Sequence, residues 1–535
     1  MIKRLTVSLL ALIFLLQGVV VAAQTPVASQ VTDGSEPWWS GAACYEIFVR
    51  SYMDSDGDGI GDFQGLISRL DHLNDGVPGE GDDLGVSCIW LMPIMESPSY
   101  HGYDVTDYKT VEPDYGTNDD FLAFMDEAHA RGIRVIIDFP INHTSSEHPW
   151  FLDAISDPES PYRDWYIFED EDPGYIGPWG QDVWHEVPGG DGYYYGVFVD
   201  TMPDLNLENP EVNAEIERIA EYWLLEMGVD GFRMDAVKHL IEDGRVQEST
   251  PATMQWLEEF GAFVRSVKPD SYTVGEVLPA GVDGLLPYYP DTLDQYFQFD
   301  LAQQMVNASN FGSVRTLGPV LERTYETLPD QRWGTLLTNH DQRRFATQVG
   351  EDPAKLRVGA MMLLTFPGTP FIYYGEEIGM PGDKPDPDLR TPMQWSGEPG
   401  GGFTTGTPYT EMQPGWEELN VEAQADDPDS VLTIYREWGQ AREIHPALRT
   451  GSFTLLESGN VSVLAFLRQH EEETLLVVIN AGSRPTEELV LTLPGSVGGT
   501  TTDIFTGEAG PTFNGGTLSL PPMDSRSGTI LKVED

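Results

Sequence analysis

Met227-Gly228-Val229-Asp230-Gly231-Phe232-Arg233-Met234-Asp235-Ala236-Val237-Lys238-His239 carries a change of period on which the rest of the chain turns. Upstream, from Val212 to Met227, Ile216, Ile219, Ala220 and Trp223 recur at helical spacing, and Gly228 reads as the C-terminal cap of that helix. Beyond the cap the spacing drops to two. Arg233 and Asp235 then face one way and Phe232 and Met234 the other, as in a short strand. An arginine two residues before an aspartate on one strand face sets a fixed cation beside a carboxylate and favours its ionised form, which a nucleophile requires. R-x-D alone is more often a structural ion pair, so its surroundings must decide.

Working outward, strand-like runs recur at Cys44–Ser51, Val86–Pro93, Ile133–Phe139, Val229–Val237, Tyr272–Val277, Gln295–Asp300, Trp333–Asn339 and Thr369–Tyr374, with helical runs between them. In one of these, Asn118–Ala130, Phe121, Phe124, Met125 and Ala128 share a face and Gly132 follows as a stop. Eight strands alternating with helices predict an α/β fold, a closed (β/α)8 TIM barrel. The alternative, an open doubly wound sheet, lacks a glycine-rich phosphate turn after its first strand. The barrel is expected over residues 37–143 and 207–450. Residues 144–206, rich in Trp, Tyr, Pro and Gly, are too long for a bare loop and are expected to form a small inserted domain. From residue 451 to 535 short alternating strands with Gly- and Thr-rich turns predict a C-terminal β-sandwich.

Lys3 and Arg4 precede an apolar run that ends in Val21-Ala22-Ala23, so residues 1–23 read as a secretory signal peptide, and 24–36 as a loose leader. A retained membrane anchor is the alternative, but the run is short and no cysteine stands at the cut to take a lipid. The expected location is secreted, extracellular or periplasmic, with no membrane contact after cleavage, and the protein is expected to be a monomer. A net charge of −57 over 535 residues repels nucleic acid and anionic lipid, which excludes both as partners, and suits a salt-rich milieu. Cys44 and Cys88 each begin an apolar strand-like run. A disulfide is open to them if those strands are neighbours, but two buried thiols are the preferred reading.

In a parallel barrel the chemistry sits at the C-terminal ends of the strands. Those ends carry Tyr100-His101-Gly102-Tyr103-Asp104 after the second strand, and Asp138 with Asn142-His143 after the third. Arg233 and Asp235 lie at the fourth, Glu276 at the fifth and Asn339-His340-Asp341 at the seventh. Converging carboxylates raise one another's pKa, so that one stays protonated as a general acid while another serves as nucleophile; glycoside hydrolysis needs that division of labour.

Taken together, Asp138-Phe-Pro-Ile-Asn142-His143, Gly231-Phe-Arg-Met-Asp235-Ala-Val-Lys-His239, Gly275-Glu276-Val277 and Asn339-His340-Asp341 resemble, in order, the four signature regions of the α-amylase family of glycoside hydrolases. Met202-Pro203-Asp204-Leu205-Asn206 resembles the fifth, in a form found between the oligo-1,6-glucosidase and neopullulanase groups. The resemblance covers about residues 37–449. It implies that Asp235 is the nucleophile, Glu276 the general acid/base and Asp341 the carboxylate that grips sugar hydroxyls. Tyr103 would stack under the reacting sugar, with His143, Arg233 and His340 bonded around it. Lys238 and His239 would meet the leaving-group sugars, while Asp104 and an arginine of the Arg390-Thr391-Pro392-Met393-Gln394-Trp395 segment, shared with exo-acting members, can close the far end of the cleft.

A calcium ion is the expected cofactor. Asp54, Asp56, Asp58, the Ile60 carbonyl and Asp62 place oxygens at alternate positions, with Gly59 sixth for the tight turn, as an EF-hand loop begins; Gly65 at the twelfth position excludes a regulatory EF-hand. The family resemblance implies a second ion site through Asn142, Asp204 and the His239 backbone. Ala236 after the nucleophile and the Lys238-His239 pair look like enzymes of α-1,4 bonds. The expected activity is a retaining α-amylase acting on starch, maltodextrins and related α-glucans or maltooligosaccharides. The alternatives are an exo-acting α-glucosidase and a glucosyltransferase such as a trehalose synthase.

Overall fold

Strands buried on both faces need apolar residues on both faces, and eight short runs meet that requirement. They are β1 (Cys44–Ile47), β2 (Cys88–Leu91), β3 (Arg134–Phe139), β4 (Gly231–Met234), β5 (Tyr272–Gly275), β6 (Gln295–Phe297), β7 (Trp333–Leu336) and β8 (Thr369–Tyr373). The computed structural model describes residues 37–278, 281–494, 497–514 and 516–534; the expected signal peptide and leader lie outside them. All eight strands pair in parallel in chain order, and β1 against β8 (Cys44 opposite Phe371) closes the ring. The barrel is therefore closed, as expected, and not an open sheet. Trp90, Ile136, Val274, Phe297, Leu336 and Phe371 point inward and fill it, while Ile89, Leu91, Val135 and Ile137 pack outward in the core that covers the barrel.

The two cysteines differ from expectation. β1 and β2 pair with Cys44 opposite Cys88, both side chains belong to the barrel interior, and they form a disulfide with Cα atoms 4.2 Å apart. Two free thiols were the preferred reading because composition carries no register; once the strands are in phase, the two sulfurs meet. Gly231 shows how tightly the ring is drawn. Its φ is +154°, and a Cβ there would stand 1.8 Å from the Tyr272 carbonyl oxygen of β5, so only glycine lets β4 and β5 pair at this point.

The helix at Asn118–Ala130 begins with a capping box between Thr117 and Asp120 and buries Phe121, Phe124, Met125 and Ala128. The helix before β4 runs from Pro210 to Glu221, continues as a π turn over Tyr222–Glu226, and ends at Gly228 with φ +79°. Between β3 and β4 the chain forms a helix (Pro149–Ser156) and a three-stranded antiparallel sheet of Phe168–Glu169, Tyr193–Tyr195 and Trp184–Glu186. Past the barrel, a five-stranded antiparallel sheet faces a three-stranded one. Leu467, Leu476, Val478 and Leu531 of the first share a core with Leu489, Leu491, Leu518 and Leu520 of the second. The alternate residues Phe466, Leu475, Val477 and Ile530 join the core of the barrel domain, so the larger sheet is apolar on both faces. Among the described residues, no helix is long and apolar enough to cross a membrane.

Candidate active site

Arg233, in β4, is fully buried and gathers three carboxylates from three neighbouring strand ends. Its Nη1 donates to both Asp138 oxygens at 2.9 Å and to Asp235 Oδ1 at 2.6 Å, and its Nη2 donates to Glu276 Oε2 at 2.6 Å. Its guanidinium lies 5.1 Å from the Trp90 ring centroid, a cation–π contact from the barrel interior. Two carboxyl groups held on adjacent nitrogens of one planar guanidinium suit the retaining separation of roughly 5–5.5 Å. Immediately after Asp235, Ala236 adopts φ 42°, ψ 39°, the left-handed region in which a β-carbon is crowded, and its N–H points at Glu276 Oε2 (3.4 Å).

A second group closes the site from β7 and β1. His340 lies between Glu46 Oε1 (2.5 Å from Nδ1) and Asp341 Oδ2 (3.2 Å from Nε2), and the Tyr103 hydroxyl is 2.7 Å from Nε2. Tyr103 also donates to Asp138 Oδ2 at 2.9 Å, and its ring stacks on that of His340. Arg390 Nη2 pairs with Asp341 Oδ1 at 2.7 Å, and its Nε donates to the His340 carbonyl. Asp341 keeps 39% of its side chain exposed, against 13% for Asp235 and 10% for Glu276, so the three carboxylates line a floor open on the Asp341 side.

The electrostatics follow from this packing. Burial raises Glu276 above its ordinary value; Arg233 offsets part of that, while Asp235 and Asp341 add to it. Asp235 is also raised, first by burial and then by Asp138 and Asp341, with Arg233 acting against them. Arg233 therefore restrains the upward shift of Asp235 without cancelling it. Burial alone would discharge His340, yet Asp341 and Glu46 flank it and lift it to about 10, so it is an imidazolium at neutral pH. Burial pushes Asp341 up as well, but His340, Arg390 and Arg233 outweigh it and hold the carboxyl below the usual carboxylate range. The site thus holds one firmly ionised carboxylate beside two whose protons are retained to higher pH.

The remaining sequence-predicted residues fall around this core. Asp104 is buried and accepts from Ser97 Oγ (2.9 Å) and Ser99 Oγ, with His101 at 3.8 Å. His143 bonds the Tyr103 carbonyl through Nε2 at 3.1 Å and is held neutral by burial, at about 4, so it positions the tyrosine loop. Lys238 pairs with Glu248 (2.5 Å), and His239 bonds the Gln247 carbonyl while its ring lies 5.1 Å from the exposed Trp179. Glu46 and Trp90 were missed by sequence reasoning. The signal available was a carboxylate inside an otherwise apolar barrel strand.

Asp54, Asp56 and Asp58 bring one carboxylate oxygen each within 4.8 Å of one another. Gly59 follows with φ +96°, and a Cβ there would strike the Thr407 carbonyl at 2.0 Å. The Ile60 N–H is tied to Asp58 Oδ1 (2.8 Å). Asp62 caps the next helix through Gly65 N (2.7 Å) and accepts from Ser55, so it braces the loop and lies outside the converging trio. Oxygen-only donors with three carboxylates fit a hard divalent cation. Asn142, Asp204 and His239 also come together: Asn142 Nδ2 donates to the His239 carbonyl (2.5 Å), and Asp204 Oδ2 is buried with no donor.

Residues 46–451 match the α-amylase catalytic domain family, and residues 453–526 match the maltogenic amylase C-terminal domain family. The chain belongs to the α-amylase family. It is a glycoside hydrolase of the retaining, O-glycosyl type. Among its relatives, Alpha-amylase 3 of Dictyoglomus thermophilum is 38% identical over 83% of this chain and 86% of its own length. An oligo-1,6-glucosidase of Parageobacillus thermoglucosidasius is 33% identical over 83% and 90%. A trehalose synthase/amylase of Mycobacterium tuberculosis is 34% identical over 84% and 82%. Of solved structures, an α-amylase from H. orenii superposes with a TM-score of 0.83 at 40% identity, over 92% of this chain and 99% of that one. The trehalulose synthase MutB of Pseudomonas mesoacidophila MX-45 gives 0.80 at 29%, over 94% and 100%. Within the α-amylase family the relatives therefore include proteins named as α-amylase, oligo-1,6-glucosidase, trehalose synthase and trehalulose synthase, which agrees with an intermediate position.

Proposed function

We propose that this enzyme is a secreted α-amylase that cleaves α-1,4 bonds of starch and maltodextrins with retention of configuration. The carrying observation is the Asp235–Arg233–Glu276 clamp with Asp341 opposite. Glu276, whose burial favours the protonated form, gives its proton to the glycosidic oxygen as Asp235 Oδ attacks the anomeric carbon. The aglycone leaves, and a glycosyl ester forms on Asp235. Glu276, now a carboxylate, takes a proton from water, which displaces Asp235 and restores the α configuration. The ionised Asp341 and the acceptors around it grip ring hydroxyls, and their negative charge favours the oxocarbenium-like transition state. On the leaving-group side, Trp179 is 58% exposed and stacks on Phe198 beside His239, an aromatic face suited to a glucose ring.

A second reading, an exo-acting α-glucosidase, is favoured by Arg390, which is 3% exposed and pairs with Asp341 at one end of the floor. Timed product analysis on amylose separates the two. Mixed oligosaccharides appearing first as α-anomers are expected; glucose alone favours the exo-enzyme, an isomerised disaccharide favours a transferase, and a first-formed β-anomer contradicts retention. Asp235→Asn should lower turnover by several orders of magnitude with folding intact, partly restored by azide. Full activity in the azide-free variant would remove Asp235 from its role.

The converging carboxylates of loop 54–62 support a bound calcium ion, held by Asp54, Asp56, Asp58 and the Ile60 carbonyl. The orphaned Asp204 Oδ2 supports a second near Asn142 and the His239 carbonyl. In these places calcium would supply charge neutralisation of the loop and of the insert–barrel seam. Secretion is supported by the Cys44–Cys88 disulfide, which suits an oxidising compartment.

A further inference from the structure

Beside the general acid, the chain between Ala236 and Ser249 doubles back on itself. Ala236, whose N–H points at Glu276 Oε2, and Ser249 (φ +54°) are both non-glycine residues in the left-handed region. Backbone of that kind persists only where its surroundings hold it. Here the Ser249 N–H donates to the Lys238 carbonyl (2.7 Å), and His239 Nδ1 lies 2.8 Å from the Gln247 carbonyl. The Gln247 side-chain amide donates to the Ile176 carbonyl of the insert (3.3 Å), and the Ser249 hydroxyl lies 2.8 Å from that of Tyr288. Between these clips stands Glu248, whose Oε2 accepts from Lys238 Nζ at 2.5 Å.

The two partners of that ion pair are unequally placed. Lys238 keeps 11% of its side chain exposed and Glu248 48%. The family resemblance gives the contact with leaving-group sugars to Lys238, but its ammonium is largely covered and already paired. Among the described residues, Glu248 Oε1 accepts from no protein donor, so the carboxylate presents an open acceptor to solvent. The hydrogen bond from Lys238 lowers Glu248 below its ordinary value and so keeps it ionised. A half-exposed ion pair contributes little to stability, which does not account for a strained turn built to hold one. Its position gives it a use. Glu276 protonates the departing oxygen, so the leaving sugar lies on the Glu276 side, where the segment begins. The exposed Trp179 ring stands 5.1 Å from that of His239, the neighbour of Lys238, and offers an aromatic plane there. An ionised carboxylate at such a place takes a hydroxyl hydrogen bond and repels an anionic group.

We propose that Glu248 is a specificity residue that accepts a hydroxyl of a neutral leaving-group sugar, with Lys238 acting through it as a positioning residue. The proposal rests on the amylase reading above and deepens it by naming the acceptor on the leaving-group side.

The test compares two substrates of the full-length enzyme: maltotetraose, whose leaving group is a sugar, and a nitrophenyl α-maltoside, whose leaving group has no sugar hydroxyl. For both, kcat/KM reports the step in which the leaving group departs. Glu248→Ala should lower the ratio of kcat/KM for maltotetraose to that for the aryl maltoside by about tenfold or more, as expected for one hydrogen bond to a charged group. Glu248→Gln keeps an acceptor without the charge and should lie between; it serves as the second variant if the first folds poorly. Adding Lys238→Met to Glu248→Ala should change the ratio little further, because the lysine acts through the carboxylate. If the ammonium itself binds the sugar, Glu248→Ala frees it, and a ratio that holds or rises overturns the proposal. Equal losses on both substrates make Glu248 structural and overturn it as well. A crystal of Glu276→Gln with maltotetraose should show a sugar hydroxyl on Glu248 Oε1; sugar in the cleft bonded to Lys238 Nζ and not to Glu248 overturns the proposal and leaves the amylase reading standing. A parent enzyme that cleaves neither maltotetraose nor amylose would overturn the amylase reading itself.

Discussion

The charge of His340 depends on a residue two strands away around the ring. Glu46 ends β1, is 1% exposed, and spends one carboxylate oxygen on His340 Nδ1. The other ring nitrogen then serves Asp341 and Tyr103. His340 lies above its ordinary 6.5, at about 10, so its charge contributes stability in full below about pH 6.5, and that contribution is lost as the pH rises through about 10. Glu46→Gln keeps the hydrogen-bond geometry and removes the charge. It should lower the His340 value by about one unit or more and draw the alkaline limit of stability down with it. The imidazole resonance of His340, followed by NMR in both proteins, reads this directly; identical titrations would show that Asp341 alone holds the charge. The carboxylates that converge on Arg233 were legible from the sequence because they close apolar runs at strand ends. Glu46 stood out only as a carboxylate inside an apolar run; its partner was not legible, because His340 comes within reach only when ring closure sets β8 between β1 and β7.

At the level of elements, the period of the apolar residues gave the strands and helices because barrel strands are buried on both faces and the helices on one. The helix Asn118–Ala130 carries its own capping box, so even its ends were readable. The convergence of Asp54, Asp56 and Asp58 in the loop after β1 was readable for another reason: aspartates at alternate positions with a glycine sixth match the start of a cation-binding loop. The position of Asp62 was the part not visible, since a capping role appears only once the following helix is in place. With Asp54, Asp56 and Asp58 facing one another, mutual repulsion opposes the folded loop unless a divalent ion is present. A ligand bound to the native state alone stabilises it by about 2.7 kcal/mol at a hundredfold excess over Kd. Chelation should therefore lower the melting temperature by a few degrees, and Asp56→Ala should abolish most of that shift. Protein shown by metal analysis to lose calcium without any change in its melting curve would reduce the loop to an acidic turn.

At the scale of the whole molecule, the disulfide is the feature that the sequence left open and the register settled. It joins β1 to β2 inside the barrel, near the end away from the catalytic floor, and closes a segment of 44 residues. Cross-linking a loop of that length removes unfolded-state entropy worth about 4 kcal/mol at 25 °C in the chain-entropy account. Because the bond lies at the strand starts and the carboxylates at the strand ends, its loss should act on stability and spare the chemistry. Cys44→Ala with Cys88→Ala should melt several degrees below the parent, with kcat on maltooligosaccharides within about twofold of the parent at a temperature where both are folded. The same bond bears on where the chain folds. Protein folded in an oxidising compartment should show no free thiol after denaturation, and protein made in a reducing cytosol should show two and melt like the double variant. Two free thiols in the protein folded under oxidising conditions, or equal melting temperatures for parent and variant, would mean that the bond contributes nothing to holding the barrel closed.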